Sequence, residues 1–182
     1  MGTPTFTIIT PSGSVFWTYL PNVEHRARIF KEISRILNRK VTANDLETNS
    51  KGRPSFPELG IEVNWSHSRS ICVLAWSFDM RLGIDLEFHK KRNFNIAKHF
   101  YSPEEKGILL NDSINPDQRL LEFYRLWCRK EAFFKCNGGL FRDVLGASLL
   151  EDFCKGTQLF DIQPPIFPGE AGKCSLCIAC RK

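Results

Sequence analysis

The stretch from Asn115 to Gly138, NPDQRLLEFYRLWCRKEAFFKCNG, constrains the fold more than any other. Asn115 and Pro116 read as a cap followed by a proline at the first helical position. Asn137 and Gly138 read as the stop. On a wheel of roughly 100° per residue, Leu120, Leu121, Phe123, Tyr124, Trp127, Cys128, Ala132 and Phe134 cover one broad face, with Glu122, Arg125 and Arg129 opposite. So aromatic a face asks to be buried. Yet Glu131 falls near its centre, Lys135 lies one turn further along, and Lys130 sits at its border. An unpaired carboxylate buried there would cost several kcal/mol or stay protonated. A Glu131–Lys135 ion pair at i,i+4 is one explanation, but an exposed pair of that kind contributes only ~0.3–0.5 kcal/mol. A metal ion and a phosphate in a cleft explain the two charges better.

A second acidic feature lies upstream. In LGIDLEF, Ile84, Leu86 and Phe88 alternate with Asp85 and Glu87, which predicts a strand carrying both carboxylates on one face, about 7 Å apart at strand rise. By itself this is equally an amphipathic strand with a solvated acidic side. With Glu131 alongside, three carboxylates would repel unless a cation joined them. A hard divalent ion with oxygen ligands fits that set, and Lys130 and Lys135 would offer charge to a pyrophosphate. The preceding segment ICVLAWSF reads as a buried strand, and the turn at Asp79–Arg81 predicts a hairpin between the two.

The rest of the chain supplies strands, helices and turns of mixed type. TFTIITPSGSVFWTYL reads as two short strands about a Pro-Ser-Gly turn. A helix is expected from Asn22 to about Asn38, with Val23, Ala27, Phe30, Ile33 and Leu37 on one face. Arg26 shares that stripe, either as a snorkelling side chain or as a cation near a helix start holding a phosphate. Ser102-Pro-Glu-Glu is a capping box. Ile61, Val63 and Trp65 alternate as a short strand that ends in the Ser66-His67-Ser68 loop, and strand-like segments follow Phe141. His67 in that loop and Arg53 in a Gly-Arg-Pro turn carry no message alone.

With 182 residues, the chain can form one domain or two small lobes sharing a core. Its formal charge of +5 favours anionic partners but is too small to demand nucleic acid. No run approaches the ~20 apolar residues of a membrane span, and the first residues lack a secretory pattern; a cytoplasmic protein is expected. The seven cysteines argue against a disulfide framework. Cys174, Cys177 and Cys180 have Ser, Leu, Ile and Ala between them rather than turn formers, which favours a buried last strand over a metal site.

Four motifs then line up in order: GRP, NWSHS, GIDLEF and WCRKEAFFKCNGGL. Together they resemble the 4'-phosphopantetheinyl transferases of the surfactin-synthetase-activating type. The likeness runs over roughly residues 22 to 145 and includes EHRARIF and NIAKHFYSPEE. It implies an α+β fold built as a pseudo-dimer, with two similar lobes in one chain (residues 1–80 and 81–182) and the active site in the seam. It implies magnesium, or manganese in its place, held by Asp85, Glu87 and Glu131. Glu131 would also help deprotonate the attacking serine. Lys130 and Lys135 would hold the pyrophosphate, His67 and Arg26 the 3'-phosphate of coenzyme A, and Arg53 and Ser66 would lie along the adenosine. The implied reaction moves the 4'-phosphopantetheine arm from coenzyme A to a serine of an apo acyl or peptidyl carrier protein, as in fatty acid, polyketide or nonribosomal peptide synthesis. The implied partners are coenzyme A and an acidic carrier docking near GILLNDSINPDQ, with no nucleic acid or membrane, and the enzyme works as a monomer. Two other classes share parts of this residue pattern: a metal-dependent nuclease, and a non-catalytic nucleotide- or carrier-binding module.

Overall fold

The computed structural model describes residues 3–21, 24–49, 53–138 and 141–182. Asn22 and Val23, expected to open the first helix, lie outside the described residues, as do Gly52, Gly139 and Leu140 of the motifs. The first part of the chain forms β1 (Phe6–Thr10), β2 (Gly13–Pro21), α1 (His25–Leu37), a short pair β3 (Glu47–Thr48) and β4 (Pro54–Ser55), then β5 (Glu62–Ser68) and β6 (Ile71–Ser77). The second part forms β7 (Arg81–Phe88), α2 (Ala97–Phe100), α3 (Pro103–Leu109), α4 (Pro116–Asn137), α5 (Phe141–Leu145), β8 (Phe153–Cys154), β9 (Thr157–Ile162) and β10 (Cys174–Arg181). The fold is α+β, with two four-stranded antiparallel sheets, β1-β2-β6-β5 and β7-β10-β9-β8.

Period-two alternation decides which faces meet. Ile71, Val73 and Ala75 of β6 and Val15 and Trp17 of β2 share a core with Leu82, Ile84 and Leu86 of β7 and Leu176, Ile178 and Cys180 of β10. That core lies between the sheets. The opposite face of β6, Cys72, Leu74 and Trp76, packs on Ile29 and Ile33 of α1. The opposite face of β10, Cys177 and Ala179, packs on Cys128, Ala132 and Cys136 of α4. The layers therefore run helix, sheet, sheet, helix. In α1 the buried residues are Ile29, Glu32 and Ile33, whereas Ala27, expected on the apolar face, is exposed.

β7 does not pair with β6, contrary to the expected hairpin. β6 already has β2 on one side and β5 on the other. Both its edges are used, so the chain turns at 78–80 and enters the second sheet beside β10. The last strand holds Cys177 and Cys180 buried and Cys174 partly buried, all as free thiols, as its small residues suggested. The region after Phe141 starts with a short helix before its strands.

α4 matches its expected limits, with the Asn115 side chain accepting from the Asp117 amide and Gly138 at the C-cap. Its wheel is another matter. Arg129, placed opposite the apolar face, is buried, and Leu121, placed on it, is 46% exposed. Sheet β7–β10 covers one side of α4, while α3 and the segment at 149–152 cover much of the rest. Arg129 binds Asp161 through Nε at 2.9 Å, Asp152 through Nη2 at 2.6 Å, and the carbonyls of Leu149, Leu150 and Glu151.

Gly83 marks the closest approach of β7 to α4. A Cβ there would stand 2.2 Å from the Ala132 carbonyl oxygen and 2.6 Å from the Cys136 nitrogen, both backbone atoms. Gly83→Ala should therefore push the helix off the strand and lower stability by at least about 1–3 kcal/mol. Urea melts of the two proteins check this; an unchanged midpoint would mean the helix shifts at no cost.

Candidate active site

The site grows from the open edge of β7. This strand ends its sheet, so half of its backbone groups face away from β10 and need partners. β5 supplies them with side chains. Asn64 Oδ1 accepts from the Ile84 amide at 3.0 Å, and Ser68 Oγ accepts from the Phe88 amide at 3.2 Å. Between them, Ser66 Oγ donates to Asp85 Oδ1 at 2.8 Å. Residues 64, 66 and 68 lie on one face of β5, opposite Ala75, Val73 and Ile71 of β6, so strand alternation places all three on the inner side. Two more cations complete the edge: Arg53 Nη2 reaches the Leu82 carbonyl at 3.3 Å and Lys135 Nζ the Ile84 carbonyl at 3.1 Å.

Asp85 is 4% exposed. Its Oδ1 takes the Ser66 hydroxyl and, at 2.7 Å, the Lys135 ammonium. Its Oδ2 is buried with no hydrogen-bond partner. Lys135 therefore pairs with Asp85, not with Glu131 as the i,i+4 explanation would have it. Glu131 enters no ion pair among the described residues. Burial pushes its pKa up to about 7, with the Asp85 charge adding to the rise and Lys135 opposing it. Glu87 is pushed up as well, first by burial and then by Asp85, while Arg92, Lys135 and Lys90 pull it back.

The three carboxylates thus share one electrostatic neighbourhood. Among the described residues, no three His, Cys, Asp or Glu side chains converge on one point as a finished metal centre. The donor set nevertheless suits a hard divalent cation. It is all oxygen, one buried oxygen is orphaned, and two carboxylates are destabilised by their own neighbours.

Beside this set lies a cleft of about 480 Å³ lined by Arg26, Arg53, Trp65, Arg81 and Lys135 among others. It brings three of the expected binding residues together: Arg26 from the start of α1, Arg53 before β4, and Lys135 from α4. Arg53 is already engaged. Its guanidinium pairs with Glu62 at 2.8 Å and donates to the Lys135 and Cys136 carbonyls at the end of α4. It clamps that helix end to the first sheet while leaving its charge at the cleft wall. His67 is exposed and does not line the cleft; its ring stacks on His25, centroids 5.1 Å apart.

Two expectations need correction. Lys130 does not face this site. It is 0% exposed, its ammonium pairs with the equally buried Glu105 at 2.8 Å, and it donates to the Val144, Leu145 and Ala147 carbonyls. The helix turns it away from Glu131, towards α3. Ser66 is also not free to lie along a nucleotide, because its buried hydroxyl is committed to Asp85.

Sequence reasoning missed Asn64, Ser68 and Glu105. The first two had a signal, since polar residues alternate through Asn64, Ser66 and Ser68 with a period of two. Glu105 had a partial one: its capping box is present, with Oε2 accepting from the Ser102 amide at 2.8 Å, but nothing local announces its bond to Lys130.

Comparison with known proteins gives the family. A sequence model described as the 4'-phosphopantetheinyl transferase superfamily matches residues 81–173, just over half of the chain. The 4'-phosphopantetheinyl transferase Sfp of Bacillus subtilis (strain 168) is 34% identical over 125 residues, covering 66% of this chain and 54% of that protein. AcpT of Escherichia coli (strain K12), also named a 4'-phosphopantetheinyl transferase, is 37% identical over 92 residues, covering 49% and 46%. HetI of Nostoc sp. (strain PCC 7120), of the same description, is 34% identical over 95 residues, covering 49% and 39%. The chain spans about half the length of the curated relatives it matches. The matched span contains the acidic strand β7, the helix α4 with Glu131 and Lys135, and the Glu105 that anchors Lys130, and on that match the chain belongs to the 4'-phosphopantetheinyl transferase superfamily.

Proposed function

We propose that this chain transfers the 4'-phosphopantetheine arm of coenzyme A to a serine hydroxyl of an apo acyl or peptidyl carrier protein, giving the holo carrier and 3',5'-ADP. Family membership and the names of the relatives support the reaction class. The observation that carries the reading is the pairing of an electron-rich trio, Asp85, Glu87 and Glu131, with a cationic cleft at its side. We read residues 1–80 and 81–182 as two lobes, with the cleft and the trio between them.

The serine oxygen attacks the phosphorus that bears pantetheine, and the bond from that phosphorus to the bridging oxygen breaks. The electron pair leaves on 3',5'-ADP. Glu131, a carboxylate that enters no ion pair among the described residues, is the group that would accept the serine proton, directly or through a water. Lys135 and the guanidinium groups of Arg26 and Arg53 provide positive charge for the nucleotide phosphates. Asp85, Glu87 and Glu131 would hold a magnesium ion, which supplies charge to offset the negative charge that gathers on the leaving phosphate. Ser66 fixes the carboxylate plane of Asp85, and Arg53 fixes the helix end that carries Lys135. No helix is long and apolar enough to cross a membrane among the described residues. The free thiols agree with a reducing compartment, and we place the enzyme in the cytoplasm.

Intact-mass measurement tests this reading. Apo acyl and peptidyl carrier proteins incubated with the protein, coenzyme A and magnesium should gain the mass of one phosphopantetheine arm. A panel that gains nothing would refute the assignment, and carriers bound without transfer would point to a binding module.

A further inference from the structure

β7 carries Glu87 one residue before its end at Phe88, and the chain then leaves through His89, Lys90, Lys91 and Arg92. The ladder is extended by one bond, from the His89 amide to the Lys173 carbonyl at 2.8 Å. Past that point a side chain of α4 holds the segment. Tyr124 is 1% exposed, and its hydroxyl spends its bonding capacity here. It accepts from the Lys90 amide at 3.2 Å and from Arg92 Nε at 3.0 Å, and donates to the Lys90 carbonyl at 3.2 Å. His89 fixes the Tyr124 ring by stacking on it, centroids 4.6 Å apart, while its own Nε2 meets Ser175 Oγ at 2.8 Å. Ser175 is the residue that faces Glu87 in the β7–β10 ladder. The tyrosine is thus a post set beside Glu87.

Arg92 is the charge that this post controls. Arg92 and Glu87 are both half-buried, and the guanidinium lies near enough to act on the carboxylate. Yet Arg92 enters no ion pair among the described residues. The Tyr124 hydroxyl holds its Nε, and the Tyr124 ring lies under the guanidinium, 5.7 Å from centroid to Cζ. A guanidinium fits a carboxylate in a two-pronged bond that one hydroxyl cannot offer, so an unrestrained Arg92 would close on Glu87. Asp85 shows such a closure in the same site: Lys135 sits on its Oδ1 at 2.7 Å and leaves Oδ2 as the oxygen without a partner. Carboxylate oxygens occupied by a cationic side chain are lost as ligands to a hard divalent ion.

We propose that Tyr124 is a positioning residue whose hydroxyl holds Arg92 off Glu87 and so keeps that carboxylate open to the divalent ion. This rests on the reading of Asp85, Glu87 and Glu131 as the ion's ligands. It adds a residue outside the trio that governs how tightly the ion is held.

Manganese binding, followed by loss of the free-ion electron paramagnetic resonance signal, tests this without turnover. Tyr124→Phe keeps the ring that stacks on His89 and lies under Arg92, and removes only the hydroxyl. Its manganese Kd should rise about fivefold or more, the effect of one new ion pair. In an Arg92→Gln background the same change to Phe should leave Kd within about twofold, because no guanidinium remains to close on Glu87. In transfer assays Tyr124→Phe should need more magnesium, with kcat at saturating magnesium and KM for coenzyme A unchanged. A purely structural hydroxyl would instead lower the melting temperature with normal manganese affinity, or weaken manganese equally in both backgrounds; either result overturns the proposal. Glu87→Gln checks the reading beneath it. Manganese bound as tightly by Glu87→Gln as by the unmutated protein would remove Glu87 from the ligands and the restraint with it. Weak binding by Glu87→Gln beside normal binding by Tyr124→Phe would sink the restraint alone. The expected manganese pattern in a protein that transfers nothing would support the restraint and sink the transfer reading.

Discussion

Lys130→Ala is expected to lower the unfolding free energy by about 3–5 kcal/mol. The substitution leaves the Glu105 carboxylate buried without its partner and takes the donor from the Val144, Leu145 and Ala147 carbonyls. Both members of the pair are 0% exposed, so water cannot replace what is lost. For a chain of this size the loss corresponds to a fall of roughly 6–20 °C in melting temperature. The activity that remains should follow the folded fraction. Lys135→Ala makes the contrast, because its ammonium is partly open and binds Asp85 beside the cleft. Transfer should drop in folded protein. A Lys130→Ala protein that melts normally yet fails to transfer would restore Lys130 to the active site.

Glu131→Gln should separate stability from turnover in the opposite sense. Loss of a general base removes on the order of 10²–10⁴-fold in rate, read by intact-mass time courses on an apo carrier. The same change should stabilise the metal-free protein above neutral pH. Burial and Asp85 raise the folded Glu131 to about 7, against roughly 4.3 for an unperturbed glutamate. Between those values the native state holds more of the proton than the unfolded state, so stability falls as pH rises through that window. At about 1.4 kcal/mol per unit, discounted for a side chain that is only partly covered, this amounts to on the order of 1–3 kcal/mol. Melts in chelator should therefore show the two proteins alike near pH 4.5 and the variant more stable at pH 8. Millimolar magnesium at pH 8 should raise the melting temperature of the native sequence and raise that of the variant much less. Coincident curves at every pH would mean that Glu131 is not the strained group described here.

The candidate site was legible in sequence where the signal is local. Glu131 and Lys135 stood out because charge on an aromatic helix face is hard to explain, and Asp85 and Glu87 because strand alternation fixes their side. Lys130 was misplaced because one residue of helix is 100° of rotation: its neighbour Glu131 shares the site and it does not. Its true partner, Glu105, sits on another helix across a loop, and no periodicity links the two. Arg129 failed for the same reason, since Asp152 and Asp161 lie far along the chain. The expected β6–β7 hairpin failed because adjacency and a turn do not reveal whether an edge is already occupied; β5 and β2 flank β6. Fold class, the limits of α4, the capping box before α3 and the buried cysteine strand came through, each resting on patterns a few residues long.

The join between β5 and β7 has a wider implication. A backbone ladder accepts almost any sequence, but here the joint is cut from Asn64, Ser66 and Ser68, as specific as the wards of a key. Grafting the first eighty residues of another family member onto this chain would thus fail wherever those three positions differ, even if every catalytic group were supplied. Compatibility between the halves, more than the identity of the reacting side chains, would set which hybrids work.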